Sequence, residues 1–184
     1  MSFTLLRRSE QLAQPWKNSG GVTRTIAIDP PDATLDDFVW RVSAADVDAD
    51  GPFSPFPGVD RVLVLLAGDG MELWTGESCV RLEAPGELAS FPGERPIVGR
   101  LSGGSTRDLN IMVRRGQRVA DVQRVVVRGP IALAGLVVGV SGDVTVGGQA
   151  LGCGDAAVGE ALNVDGDGLL IAITLRDARS TDPS

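Results

Sequence analysis

Twenty-four glycines and eleven prolines are spread along all 184 residues of this chain and cut it into short apolar pieces. The pieces at 22–29, 38–43, 61–66, 71–74, 109–113, 122–127, 136–140 and 169–175 are rich in Val, Ile, Leu and Thr. Glycine and proline interrupt helices, whereas β-branched side chains suit the pleated surface of a sheet. Segments this short, bounded by turn residues, predict an all-β protein, a sandwich or barrel with little helix. One short helix or turn is expected near 44–48. The stretch 53–57 carries Pro55 and Pro57, so it belongs to no helix interior.

Charge and residue absences remove whole classes of function. The net charge is −7, and a nucleic-acid partner would need a concentrated basic face. There is no histidine, so Ser–His–Asp catalysis, Cys–His catalysis and histidine-ligated metals are excluded. The longest run of apolar residues and glycine is 131–140, half of the roughly 20 residues a membrane-spanning helix needs. The start, Met1-Ser2-Phe3-Thr4-Leu5-Leu6-Arg7-Arg8, has no export-signal pattern, so a cytoplasmic protein is expected. Cys79 and Cys153 form no C-x-x-C pair and are expected to be buried and reduced.

The chain carries a faint internal echo. The segment running from Leu66 through Gly68, Asp69 and Gly70 to Leu73 resembles that running from Val140 through Gly142 and Asp143 to Val146. Leu82 to Ala89 resembles Leu151 to Ala157 in the same way. Two stacked jelly-roll barrels would produce such a pattern, with the halves meeting near 116–121. The run Asn163-Val164-Asp165-Gly166-Asp167-Gly168 lacks the downstream glutamate of a calcium loop and reads as a tight hairpin turn.

The residues that suggest chemistry lie in the first half. Lys17, the sole lysine beside sixteen arginines, sits in Trp16-Lys17-Asn18-Ser19-Gly20-Gly21. An ammonium, an amide, a flat ring and glycines that allow close backbone approach suit a ligand. Strand alternation puts Val22, Arg24, Ile26 and Ile28 on one face, where a buried arginine needs an anionic partner. Arg41 and Ser43 share a face, as do Asp108, Asn110 and Met112, and Arg61 opens an apolar strand. Arginines, an amide and aromatic rings together suit a small carboxylate, held by charge-assisted hydrogen bonds.

These segments resemble a known family. Pro15-Trp16-Lys17-Asn18-x-Gly20-Gly21-Val22-Thr23-Arg24, Trp40-Arg41-x-Ser43, Gly51-Pro52-Phe53-Ser54-x-Phe56-Pro57-Gly58-Val59-Asp60-Arg61 and Arg107-Asp108-Leu109-Asn110-x-Met112 are similar, in that order, to the motifs of the bacterial HutD/Ves family. The resemblance implies two cupin-like jelly-roll barrels in one chain, a bicupin, with 1–115 holding the ligand pocket and 116–184 forming the second barrel. It also implies a cytoplasmic protein tied to histidine utilisation or to a stress response. The implied ligand is urocanate or a formylglutamate-like metabolite. Carried over by position, the pocket residues are Trp16, Lys17, Asn18, Arg24, Arg41, Arg61 and Asn110. The family usually has glycine where this chain has Ser19. Metal-binding cupins use histidines that are missing here, so no metal, no cofactor and no catalytic residue is expected. A non-enzymatic sensor is the leading reading. The alternatives are a metal-independent cupin enzyme using Lys17 or Asp60 as its acid–base group, and an interaction module that forms a homodimer through the second half.

Overall fold

The computed structural model describes residues 2–16 and 19–178. Fifteen strands follow one another: β1 (Thr4–Leu6), β2 (Ala13–Pro15), β3 (Gly21–Asp29), β4 (Trp40–Val47), β5 (Gly51–Pro52), β6 (Val59–Ala67), β7 (Met71–Thr75), β8 (Ser78–Leu82), β9 (Leu88–Pro92), β10 (Val98–Leu101), β11 (Thr106–Arg114), β12 (Arg118–Arg128), β13 (Ile131–Val146), β14 (Gln149–Ala150) and β15 (Ala156–Asp177). A single 3-10 turn at Arg8–Glu10 precedes β2. The fold is therefore all-β with almost no helix. Each of the eight apolar pieces falls on a strand, the one at 38–43 beginning two residues late, at Trp40.

The expected helix or turn at 44–48 is a strand instead. Ala44 and Ala45 favour helix locally, but β4 is hydrogen-bonded on both sides, to β3 and β11, and Ala44, Ala45 and Val47 are buried. Pairing on two edges outweighs a propensity difference of about 1 kcal/mol or less per residue.

The chain divides into two compact units, Leu12–Val119 with Arg176–Ser184, and Met1–Gln11 with Ala120–Leu175. In the first, a six-stranded sheet runs β2-β3-β4-β11-β6-β9 and a four-stranded sheet runs β5-β10-β7-β8. Ala45, Val47, Leu63, Leu65 and Phe91 of the larger sheet pack with Met71, Leu73 and Leu82 of the smaller one. Both sheets thus bury one face in a shared core.

In the second unit, the sheet order is β1-β15-β13-β14, with β12 also on β15. Partner positions fall along β15 as they rise along β13, and Leu136 lies opposite both Val158 and Ile173. One long strand therefore doubles along the other. The 163–168 run is not a hairpin turn but the middle of β15, with Asp165 beside Thr145 and Gly168 beside Gly142. Glycine is needed there for proximity. Gly166 has φ +121°, and a Cβ on it would collide with the Asp143 carbonyl oxygen.

The internal echo does not survive as local structure. Leu66 to Leu73 passes from β6 to β7, between two different sheets, turning at Gly68 and Gly70 with φ near +100°. Its counterpart from Val140 to Val146 stays within β13. Cys79 and Cys153 are part-exposed rather than buried, and no disulfide joins them.

Candidate functional site

The core-facing side of the six-stranded sheet is built from rows of residues in register. β11 lies between β4 and β6, so Arg41, Met112 and Arg61 form one row, continued by Ile28 on β3 and Phe91 on β9. The next row is Thr25, Ser43, Asn110 and Leu63. The third is Thr23, Ala45, Asp108 and Leu65. Adjacent strands sit about 4.8 Å apart, which puts the Cα atoms of Arg41 and Arg61 about 10 Å from each other.

Both arginines reach along the sheet toward the Asn110 row. Arg41 Nη2 donates to Thr25 Oγ1 at 2.8 Å. Arg61 Nε donates to Asn110 Oδ1 at 3.4 Å, and its Nη1 donates to the Ser54 carbonyl at 3.2 Å. The rings of Phe53, Phe56 and Phe91 surround the Arg61 guanidinium, with centroids 5.2–5.5 Å from Cζ. Arg41 is 6% exposed and Arg61 4%. Among the described residues, neither makes an ion pair within 4.0 Å.

Two buried guanidinium groups without a carboxylate are expensive. Leaving an ion uncompensated in a low-dielectric interior costs several kcal/mol, roughly. Burial lowers the pKa of Arg41. Burial also pulls Arg61 down to about 10, with Asp108 opposing the shift and the neighbouring charge of Arg41 adding to it. The two cations share one row of the sheet, flanking Met112. An anion entering this row would relieve both.

Asp108 completes the constellation. It is 3% exposed, and no hydrogen bond reaches its side chain among the described residues. Burial raises its pKa to about 7; Arg61 pulls against the rise and Asp46 adds to it. The buried Thr106 Oγ1, further along the same strand, also lacks a partner among the described residues. Thr23, Thr25 and Asn110 are only half-buried amid a closed core, so the polar rows are where this face remains accessible.

Trp16 guards one side. Its Nε1–H donates to Thr23 Oγ1 at 2.7 Å, and its ring packs against the core. A Cβ on Gly21 would lie 3.2 Å from that ring and 2.5 Å from the Asp46 carbonyl, so glycine lets strand and indole close together. Ser19 takes φ +57°, the left-handed conformation that glycine adopts without strain. The serine therefore keeps the backbone course that a family glycine would give.

The structure redraws the expected pocket. Arg41, Arg61 and Asn110 converge, with Trp16 beside them through Thr23. Arg24 does not belong. A register shift between Thr25 and Ala27 breaks the alternation expected for 22–28, and Ile28 alone joins the Arg41 row. Arg24 lies on the opposite face, where Asp46 accepts from Arg24 Nη1 at 2.5 Å and from Arg107 Nε at 2.7 Å. Lys17 and Asn18 lie outside the described residues. Asp60, the alternative acid–base group, is exposed and paired with Arg115 at 2.7 Å. The sequence reading missed Thr25, the phenyl cage and the part of Asp108. Strand alternation over 106–113 places Asp108 beside Asn110, and that signal was enough to include it. Replacing Asp46 with alanine is expected to cost about 1 kcal/mol of stability in urea denaturation, while carboxylate affinity, measured by titration calorimetry, stays unchanged.

Two recesses are not lined by residues of these rows, although one of them takes in Phe53 of the Arg61 cage. One, of about 420 Å³, is lined by Pro55, Trp74 and Arg100. The other, of about 440 Å³, is lined by Asp121, Glu160 and Thr174. Neither is lined by Arg41, Arg61 or Asp108.

Comparison with known proteins adds four findings. The HutD family model matches residues 8–174. The structure resembles that of HutD from Pseudomonas fluorescens SBW25, determined in a formate condition, with 32% identity, 95% of this chain and 100% of that one covered, and a TM-score of 0.79. An uncharacterised 21.2 kDa protein from the hutC 3' region of Pseudomonas putida is 40% identical over 59% of this chain and 56% of its own length. The match thus spans about half the length of that curated relative. Bacterial pirin YhhW from Escherichia coli, solved with nickel(II), is 12% identical with a TM-score of 0.65 over 96% and 98% of the two chains, which shows a shared cupin-like fold alone.

Proposed function

Because the chain belongs to the HutD family, we propose that it is a cytoplasmic receptor for small carboxylates that governs histidine utilisation without catalysing a reaction. One observation carries this: Arg41 and Arg61 are buried in one row on one face of one sheet and lack an ion-pair partner within 4.0 Å among the described residues. A carboxylate above Asn110 would accept from both. Hydrogen bonds to charged groups contribute about 1.5–3 kcal/mol each. Two of them, with a ring contact, approach the roughly −8 kcal/mol of micromolar binding. The two compact units correspond in this reading to two cupin-like barrels, with the ligand in the one built from Leu12–Val119. The relative from the hutC 3' region supports the link to histidine breakdown, and urocanate and N-formylglutamate are the carboxylates of first interest. Binding needs no general base, which favours sensing over turnover.

The test is a thermal-shift panel of urocanate, N-formylglutamate and the neutral amide of each. An acid present at 100 times its dissociation constant should stabilise the protein by about 2.7 kcal/mol, and its amide should not. Equal shifts from acid and amide would contradict an anion site. NMR of the same mixtures should show line broadening without product; accumulating product would replace the sensor with an enzyme.

A further inference from the structure

We infer that Asp108 is the specificity group of this pocket, and that it selects carboxylates carrying an N–H donor beyond their anionic end. The inference rests on the carboxylate-binding reading above and names its ligand class. Asp108 stands one row past Asn110 on the same strand and the same face as the guanidinium groups. Alternate residues on a strand are about 7 Å apart, so the anionic and donor ends of a ligand would be separated by roughly that span. The row itself offers Asp108 little. Ala45 and Leu65 flank it and are apolar, and Thr23, on β3, lies two strands away.

Among the described residues no donor reaches this buried carboxyl, and its chemistry dictates what meets that demand. A ligand N–H supplies the missing hydrogen bond. A plain carboxylic acid leaves Asp108 unsatisfied. A dicarboxylate whose second carboxylate reaches this row puts a like charge against it. Arginine at the first row and a carboxyl at the third therefore make the pocket bipolar, and a bipolar pocket discriminates by the end that is harder to satisfy. If Asp108 served only to anchor Arg61, the two would form an ion pair within 4.0 Å, and they do not, although each feels the other's charge.

The experiment compares 3-(pyrrol-2-yl)propanoate with 3-(furan-2-yl)propanoate by titration calorimetry. The two acids share charge, length and ring size and differ in one N–H. The native protein should bind the pyrrole acid at least about tenfold tighter. Asp108→Ala should bring the ratio close to one, chiefly by weakening the hold on the pyrrole acid relative to the furan acid. Asp108→Asn, which retains an acceptor but no charge, should give an intermediate ratio, and it stands in if the alanine variant does not fold. Equal affinities in the native protein would overturn the role of Asp108 and leave the carboxylate site intact. Binding of neither acid would overturn the carboxylate reading itself, and this inference with it.

Discussion

Replacing Arg41 with methionine is expected to make the protein more stable and to weaken its hold on small carboxylates by about 10- to 150-fold, the equivalent of one charge-assisted hydrogen bond. Arg41 is 6% exposed, gives one hydrogen bond to Thr25, and has no carboxylate within 4.0 Å among the described residues. Methionine fills similar space with an unbranched, adaptable chain and brings no charge into the core. Exchanging buried ionic groups for packed apolar ones is commonly neutral or stabilising, by about 1–4 kcal/mol. Urea denaturation should therefore show a gain near the lower end of that range, while calorimetry shows the loss of binding. A structural role for Arg41 predicts the reverse: stability falls and affinity in the folded fraction persists. Arg61→Met should lose affinity to a similar degree without the gain, because three ring contacts and the bond to the Ser54 carbonyl disappear with the guanidinium.

Stability should also depend on pH through Asp108. Burial raises its folded pKa to about 7, against the tug of Arg61, whereas an unfolded aspartate titrates near about 3.9. A carboxyl with a raised folded pKa holds its proton more tightly when folded. Its contribution to stability is fully present below about pH 4 and disappears as pH rises through about 7. Between pH 8 and pH 5 the native protein should gain about 2 kcal/mol from this group alone. Asp108→Asn cannot titrate there. Relative to native protein, the variant should be favoured at pH 8 and lose about 2 kcal/mol of that advantage at pH 5, as read from urea midpoints at the two pH values. A difference that does not change with pH would mean that Asp108 is already ionised throughout.

The local alphabet of this fold is legible, and its long-range geometry is not. Glycine and proline spacing marks every major strand, because turns need those residues wherever they occur. The same local logic misreads Ala44 to Val47, whose strand character comes from β3 and β11 on either side. It also misreads Asn163 to Gly168, whose glycines permit close approach to β13 rather than a reversal. At the site, alternation correctly pairs Arg41 with Ser43 and Asp108 with Asn110, since those strands run without interruption there. It fails at Arg24, where one bulge near Thr25 changes the face. No pattern within β3 announces that bulge. Nor does sequence alone bring Phe53, Phe56 and Phe91 around Arg61, because that cage draws on a loop and a strand more than thirty residues apart.

The most direct measurement is a crystal of the protein grown with 5-bromofuran-2-carboxylate, phased on the bromine signal. The account predicts one ordered bromine peak beside the Asn110 row, with the carboxylate oxygens within hydrogen-bonding distance of both Arg41 and Arg61. A bromine bound elsewhere, or guanidinium groups that have closed onto carboxylates of the protein itself, would contradict it.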